Sequence, residues 1–201
     1  MIDKIVFGTT NRAKFGEYDR FFASSGIKVI ELKTVVPSVP DVIERGESYS
    51  SNALLKAQQY FHLCQLPTIS EDSGIEINSL DGFPGINSHR WMNGTEHQRN
   101  NALLQKMEYC ADRSAKFIDV ICLYLGDTVE PQFFNGELEG EISTAPHGDQ
   151  GFGYDPIFIP HGYSRTIAEL GYKIKNKISA RSQAMSQLQK YLLSDKAHFS
   201  I

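Results

Sequence analysis

The sequence predicts an α/β fold on three observations: short apolar runs that end at glycine, apolar residues at helical spacing after them, and a hairpin-rich middle. Ile5, Val6 and Phe7 run into Gly8 as a buried first strand ending in a turn. Phe15, Tyr18 and Phe22 then recur at helical spacing, Gly26 is placed to stop that helix, and Ile27 to Leu32 resume as a second strand. After the irregular connection around Pro37 and Pro40, Ser48 or a neighbour can cap a helix that carries Tyr49, Ala53, Ala57, Tyr60 and Cys64 inward. Ser48, Asn52 and Lys56 fall four apart on an adjacent face. Pro67 to Ser70 reads as a short buried strand ending at Glu71, Asp72, Ser73 and Gly74, with another strand beginning at Ile75. Thr95 can cap a helix through Leu103, Leu104 and Met107. A strand from Phe117 to Leu125 follows, with a turn at Gly126 and Asp127, then two further strands around Phe133-Phe134 and Ile142. Residues 146 to 154 have loop chemistry, and Ile178 to Leu193 has the periodicity of a closing helix.

At 201 residues, 41% hydrophobic and 22% charged, the chain can bury a core as one domain over 1–201, with room for two lobes. A net charge of -4 and a pI near 5.9 exclude an overall basic field for nucleic acid, so a small phosphorylated ligand is the better match. Cys64, Cys110 and Cys122 are too widely spaced for a zinc site or a disulfide framework and read as small buried hydrophobes in a reducing compartment. No stretch has the flanks of a signal peptide or the roughly 20 apolar residues of a membrane span. The expected location is the cytoplasm, with no membrane and no nucleic-acid partner.

Four groups of residues could carry chemistry. Gly8-Thr9-Thr10-Asn11 with Lys14 offers backbone N–H groups at a helix start, two hydroxyls, an amide and an ammonium, which together suit phosphate oxygens. It lacks the spacing of a P-loop, and a polar helix cap would look the same. Glu44 and the Glu71-Asp72 pair are hard oxygen donors of the kind magnesium takes, one or two at a time, with substrate phosphate and water. Asp72, read at the end of a strand, lies where open sheets bind ligands, whereas a solvated loop acid is the plain alternative for Glu44. Lys56 would be a phosphate ligand if its helix runs alongside the strand ends, and a solvated surface charge is the plain alternative. Gly151-Phe152-Gly153-Tyr154-Asp155-Pro156 interleaves glycine with aromatic rings that can stack on a base, and Lys175 and Arg181 follow on the last helical segment.

Taken in order, the set is specific. Thr9-Thr10-Asn11 with Lys14, Asn52-Ala53, Lys56-Ala57, Asp72-Ser73-Gly74, Gly82-x-Pro84-Gly85, Phe152 to Pro156, Ala168-Glu169-Leu170, Lys175, Ser179 and Arg181 resemble the Ham1/inosine triphosphatase family of nucleoside triphosphate pyrophosphatases. The resemblance covers nearly the whole chain. It implies an elongated mixed central sheet flanked by helices, two lobes with a cleft between them, and a homodimer. It also implies magnesium-dependent hydrolysis of deaminated purine triphosphates (ITP, dITP, XTP) to monophosphate and pyrophosphate, as nucleotide pool sanitation, with manganese as an alternative metal.

Carried over by position, Thr9, Thr10, Asn11, Lys14 and Lys56 would hold the triphosphate. Glu44 and Asp72 would place the metal, Asp72 would also be the general base, and Ser73 would touch substrate. Phe152, Gly153, Tyr154 and Asp155 would enclose the base, with Lys175 and Arg181 at its keto edge. The sequence departs from the family pattern at Thr10, where the family has Gly, at Glu71, and at Ala180, where a family Ser-His-Arg run reads Ser179-Ala180-Arg181. The missing imidazole implies relaxed or shifted base specificity, because a site built around a buried hydrogen bond discriminates through it. The competing readings are a Maf-like pyrophosphatase acting on pyrimidine or modified nucleotides, against which the Phe152 to Pro156 loop argues, and a nucleotide sensor without turnover.

Overall fold

The structure is a computed structural model that describes residues 2–194. One six-stranded sheet runs in the order β2-β1-β3-β4-β5-β6, with β1 at Lys4–Phe7, β2 at Lys28–Glu31, β3 at Thr68–Ile77, β4 at Ser114–Tyr124, β5 at Gln132–Ile142 and β6 at Phe158–Pro160. It is mixed: β1 is parallel to β2 and to β3, and β5 is antiparallel to β6. The helices are α1 at Arg12–Phe22, α2 at Leu32–Val35, α3 at Tyr49–Cys64, α4 at Glu96–Lys106, α5 at Ile167–Ile178 and α6 at Ala180–Leu192.

Local chemistry explains several starts. Ser48 caps α3 and Thr95 caps α4, each through a reciprocal box with the residue three positions on, Ser51 and Gln98. Thr166 does the same for α5 with Glu169, a helix the sequence pattern did not reveal. Its periodicity is interrupted at Gly171, whose backbone is non-helical at φ 75° and ψ 172°. Ser179 is extended and separates α5 from α6, so the single closing helix read from the sequence is two helices, with Lys175 on the first and Arg181 on the second.

Two other expectations are corrected. The strand at Pro67 to Ser70 does not end at the acidic pair: β3 continues for ten residues, and Asp72 lies in its middle. The polar run can stay extended and buried because Ser70 donates to the Gly8 carbonyl while Glu71 and Asp72 both have partners on helices. Likewise, the segments around Phe133-Phe134 and Ile142 are one strand.

The chain divides into two compact units. The first comprises the described residues through Asp72, Asp119–Asn135, and those from Ala184 onward; the second comprises Ser73–Ile118 and Gly136–Gln183. In the first unit, Phe7, Tyr18, Phe22, Ile69, Ile121 and Leu188 form one core cluster, whereas Val6, Leu32 and Tyr60, and Ala53, Ala57, Cys122 and Tyr124, form two others. Neighbours in sequence such as Phe7 and Val6 thus enter different clusters, as alternation along a strand requires. In the second unit Ile75, Ile77, Leu103, Met107, Ile157 and Phe158 are fully buried in one cluster. Each such side chain contributes roughly 1.5–3 kcal/mol by leaving water.

Candidate active site

In the first unit, β1 delivers the chain to Gly8, where a Cβ would collide with Ser70 Oγ and the Tyr60 ring, so only glycine allows β1 and α3 to approach this closely. The next residues build the start of α1. Asn11 is its N-cap and accepts from the backbone N–H of Ala13 at 2.9 Å and of Lys14 at 3.2 Å, while Thr9 Oγ1 accepts from Asn11 N at 3.1 Å. Thr10 is exposed.

Lys14 and Tyr18, one turn apart on α1, both reach Glu71. The Lys14 ammonium is 2.7 Å from Oε1, and the Tyr18 hydroxyl donates to Oε2 at 2.7 Å. The Glu71 side chain is 1% exposed. A buried carboxylate needs such partners, since an isolated one is strongly disfavoured away from water.

Asp72, the next residue on β3, points to the opposite face, and its partners come from α3 instead. Asn52 Nδ2 donates to Oδ2 at 3.1 Å and Lys56 Nζ to Oδ1 at 3.1 Å. Lys56 also donates to Glu44 Oε1 at 2.5 Å, so one ammonium joins the two carboxylates. The connection that carries Glu44 is tied to the same helix, because Gly46 N donates to Asn52 Oδ1 at 2.8 Å. Burial pushes the Asp72 carboxyl above the usual carboxylate range; the Lys56 charge opposes this, the Glu44 charge reinforces it, and hydrogen bonds from Asn52 and Lys56 oppose it.

The Lys56 ammonium fills the position between Glu44 and Asp72, so a metal ion would bind both acids only with Lys56 turned aside. Two hard carboxylates suit magnesium, which fills its remaining positions with phosphate oxygens and water. Among the described residues no group of three or more His, Cys, Asp or Glu side chains is arranged to cage an ion, so these two acids form an open donor pair.

In the second unit, the base-loop candidates form a local network. Asp155 Oδ2 accepts from Phe152 N at 2.9 Å and from Lys175 Nζ at 2.7 Å. Lys175 Nζ stands 4.1 Å from the Phe152 ring centroid, and the Arg181 guanidinium 5.4 Å from it, both within cation–π range. Tyr154 is buried; its hydroxyl donates to Ser88 O at 2.6 Å and accepts from Trp91 Nε1 at 2.8 Å. Gly153 N donates to Glu96 Oε2 at 2.8 Å, and Gly153 O accepts from Asn100 Nδ2 at 3.0 Å. Ala180, at the start of α6 beside Arg181, is buried. Ser73 is half-buried in β3.

Glu44, Lys56 and Asp72 are therefore brought together, and Phe152, Asp155, Lys175 and Arg181 form a second group. Thr9 and Asn11 shape the start of α1. Lys14 does not join the Glu44–Lys56–Asp72 group but meets Glu71 on the other face of β3. The sequence reading missed Glu71 and Tyr18 as partners of Lys14, and Glu96 and Asn100 as partners of Gly153. The available signal was i, i+4 spacing: Lys14 with Tyr18, Asn52 with Lys56, and Glu96 with Asn100 each share one helix face.

The sequence profile of the Ham1 family matches residues 5–191. A dITP/XTP pyrophosphatase of Symbiobacterium thermophilum is 40% identical over 186 residues, covering 92% of this chain and 92% of the relative. One from Oceanobacillus iheyensis is 41% identical over 193 residues, covering 94% and 98%. Among solved structures, a HAM1 protein from Coxiella burnetii superposes with a TM-score of 0.86 at 38% identity, covering 94% of this chain and 98% of that one. The Staphylococcus aureus Ham1 protein gives a TM-score of 0.83 at 34% identity, with 94% and 97% covered.

Proposed function

This chain belongs to the Ham1 family, and from that premise we propose that it hydrolyses nucleoside triphosphates with deaminated purine bases to the monophosphate and pyrophosphate, clearing them from the nucleotide pool. What supports the reading most directly is the convergence of Glu44 and Asp72 on one cation position, braced by Asn52. Relatives named dITP/XTP pyrophosphatase that match 92–94% of the chain support the substrate class.

In this reading Glu44 and Asp72 would hold a divalent ion, magnesium or manganese. When bound, the ion neutralises charge that grows on the departing pyrophosphate. Asp72 accepts a proton from the water that attacks the α-phosphorus. As the new P–O bond forms, the bond from the α-phosphorus to the bridging oxygen breaks, and pyrophosphate leaves with the electron pair. Burial raises its pKa and makes Asp72 a stronger base than an ordinary carboxylate, while the Lys56 charge and the hydrogen bonds from Asn52 and Lys56 oppose that rise. Lys56 supplies positive charge to the phosphates, and the hydroxyls of Thr9 and Thr10, the Asn11 amide and Ser73 add hydrogen bonds; Lys14, held by Glu71 on the other face of β3, would add its charge only by turning from that carboxylate. Phe152 stacks on the base, Gly153 allows close backbone approach, and Lys175 and Arg181 face its keto edge. Asp155 orients Lys175, and Tyr154 anchors the loop.

The test is product analysis with ITP, dITP and XTP in the presence of magnesium. Monophosphate and pyrophosphate are expected, with turnover in Asp72→Asn reduced by about a thousandfold or more, as for loss of a general base and metal ligand together. Release of orthophosphate, or undiminished turnover in Asp72→Asn, would refute the assignment. Ala180 in place of the family His further supports a relaxed or shifted base choice, and a panel including GTP, ATP and modified pyrimidine triphosphates reads it; strict selectivity for ITP and XTP would exclude it. A cytoplasmic location and a homodimeric state belong to the same proposal, the latter read by light scattering in solution. Among the described residues no helix is long and apolar enough to cross a membrane.

A further inference from the structure

We propose that Glu96 and Asn100 of α4 are positioning residues that set affinity for the nucleobase by fixing the backbone on both sides of Gly153, and so the direction of the Phe152 ring. The inference rests on the reading of Phe152 as the base-stacking side chain. Three hydrogen bonds carry it. Phe152 N donates to Asp155 Oδ2 at 2.9 Å, which orients the peptide plane before Phe152. Gly153 N donates to Glu96 Oε2 at 2.8 Å, which orients the plane after it. With both planes held, φ and ψ of Phe152 are held, and these two angles aim its Cα–Cβ bond. Asn100 Nδ2 then fixes the next plane through Gly153 O at 3.0 Å.

Gly153 needs this external support because it sits at φ +66° with nothing within 4 Å of the place a Cβ would occupy. Its conformation is one that glycine leaves as freely as it enters, and the local restraint across it is one long turn bond, from Asp155 N to Phe152 O at 3.4 Å. Glu96 and Asn100 are four apart, so one face of α4 presents both partners. Each is also unusual for its place. Glu96 is exposed, yet its carboxylate is committed to a loop 57 residues away in sequence. Asn100 is 3% exposed, and its Oδ1 is buried with no hydrogen-bond partner. Burying an unpaired amide oxygen is destabilising, so packing alone would favour an apolar residue there. The bond from its Nδ2 to Gly153 O is what the asparagine provides.

The experiment compares wild type with Glu96→Ala, Glu96→Gln, Asn100→Ala and Phe152→Ala, measuring kcat and KM for ITP and the inhibition constant of inorganic tripolyphosphate, which has no base. Glu96→Ala is expected to raise KM for ITP by about fivefold, the loss of one charge-assisted hydrogen bond at an exposed site. Its kcat should stay within about twofold and its tripolyphosphate inhibition should be unchanged. Glu96→Gln retains an acceptor oxygen and should recover most of the loss. Asn100→Ala should shift KM in the same direction; because that site is buried, the exposed Glu96 variants carry the test if it unfolds. A Phe152→Ala variant with raised KM beside an unaltered Glu96→Ala would overturn the positioning role alone. Equal weakening of ITP and tripolyphosphate in Glu96→Ala would overturn it too, by showing a general structural effect. An unaltered KM in Phe152→Ala would instead overturn the assignment of the loop to the base, and the positioning role with it.

Discussion

Lys56→Met isolates the electrostatics of the candidate metal site. The Lys56 side chain is 13% exposed, and its ammonium holds Glu44 Oε1 at 2.5 Å and Asp72 Oδ1 at 3.1 Å, with those side chains 21% and 8% exposed. Its removal forfeits two charged hydrogen bonds, each of about 1.5–3 kcal/mol, and leaves two mostly buried carboxylates facing each other. Methionine keeps the length and apolar contact of the stem, and release of the ordered lysine returns up to about 2 kcal/mol of side-chain entropy. The bonds outweigh the entropy, and the expected net loss is about 3 kcal/mol, which for a chain of this size lowers Tm by roughly 6–12 °C.

The loss should also depend on pH, with a definite sign. Asp72 has a folded-state pKa above its ordinary value, so its ionisation costs the folded state stability above the folded pKa. That cost is relieved as pH falls through the folded pKa toward the unfolded one. Lys56 is the charge that lowers the Asp72 pKa, so without it the window extends upward. Calorimetry of wild type and variant without nucleotide or metal, at pH 7.5 and at about pH 5.5, should show the gap in Tm narrowing at the lower pH. A gap below about 2 °C, or one that widens at the lower pH, would refute the argument.

Tyr18→Phe removes the hydroxyl that donates to the buried Glu71 but keeps the ring stacked on Phe7, whose centroid lies 3.9 Å away. Thermal denaturation should register a loss of about 1–3 kcal/mol, and an unchanged Tm would show that the bond carries no net stability. The Cys122 thiol is buried and its pKa is pushed up to about 12, so at pH 8 a thiol reagent should leave it unmodified in the native protein and reach it only in denaturant. Mass spectrometry locating label on Cys122 in the native state would contradict this.

Several elements could be read from sequence because the signal and its partner lie within one turn. The Asn11 cap of α1, the Ser48 and Thr95 boxes, and the i, i+4 face carrying Asn52 and Lys56 are of this kind. Family membership was legible as well, since it rests on the order of motifs rather than on where they meet in space. Misreadings arose where a residue's reason lies far away along the chain. Ser70 to Gly74 has the composition of a turn, yet β3 runs straight through it because Lys14 and Tyr18 from α1, and Asn52 and Lys56 from α3, satisfy its two acids. Gly136 and Gly140 look like strand breakers, but both lie inside β5, where a Cβ would collide with the Ala180 and Ile159 carbonyls; close approach, not a turn, requires them.

The adjacent acids Glu71 and Asp72 mark the division most clearly. Composition, spacing and motif order determined that this chain is an α/β protein of the Ham1 family carrying acids, lysines and a glycine-aromatic loop. Only the tertiary structure decided that Lys14 goes to one acid and Lys56 to the other. The reason is the pleat of a strand, which sends successive side chains to opposite faces, where different helices supply the partners.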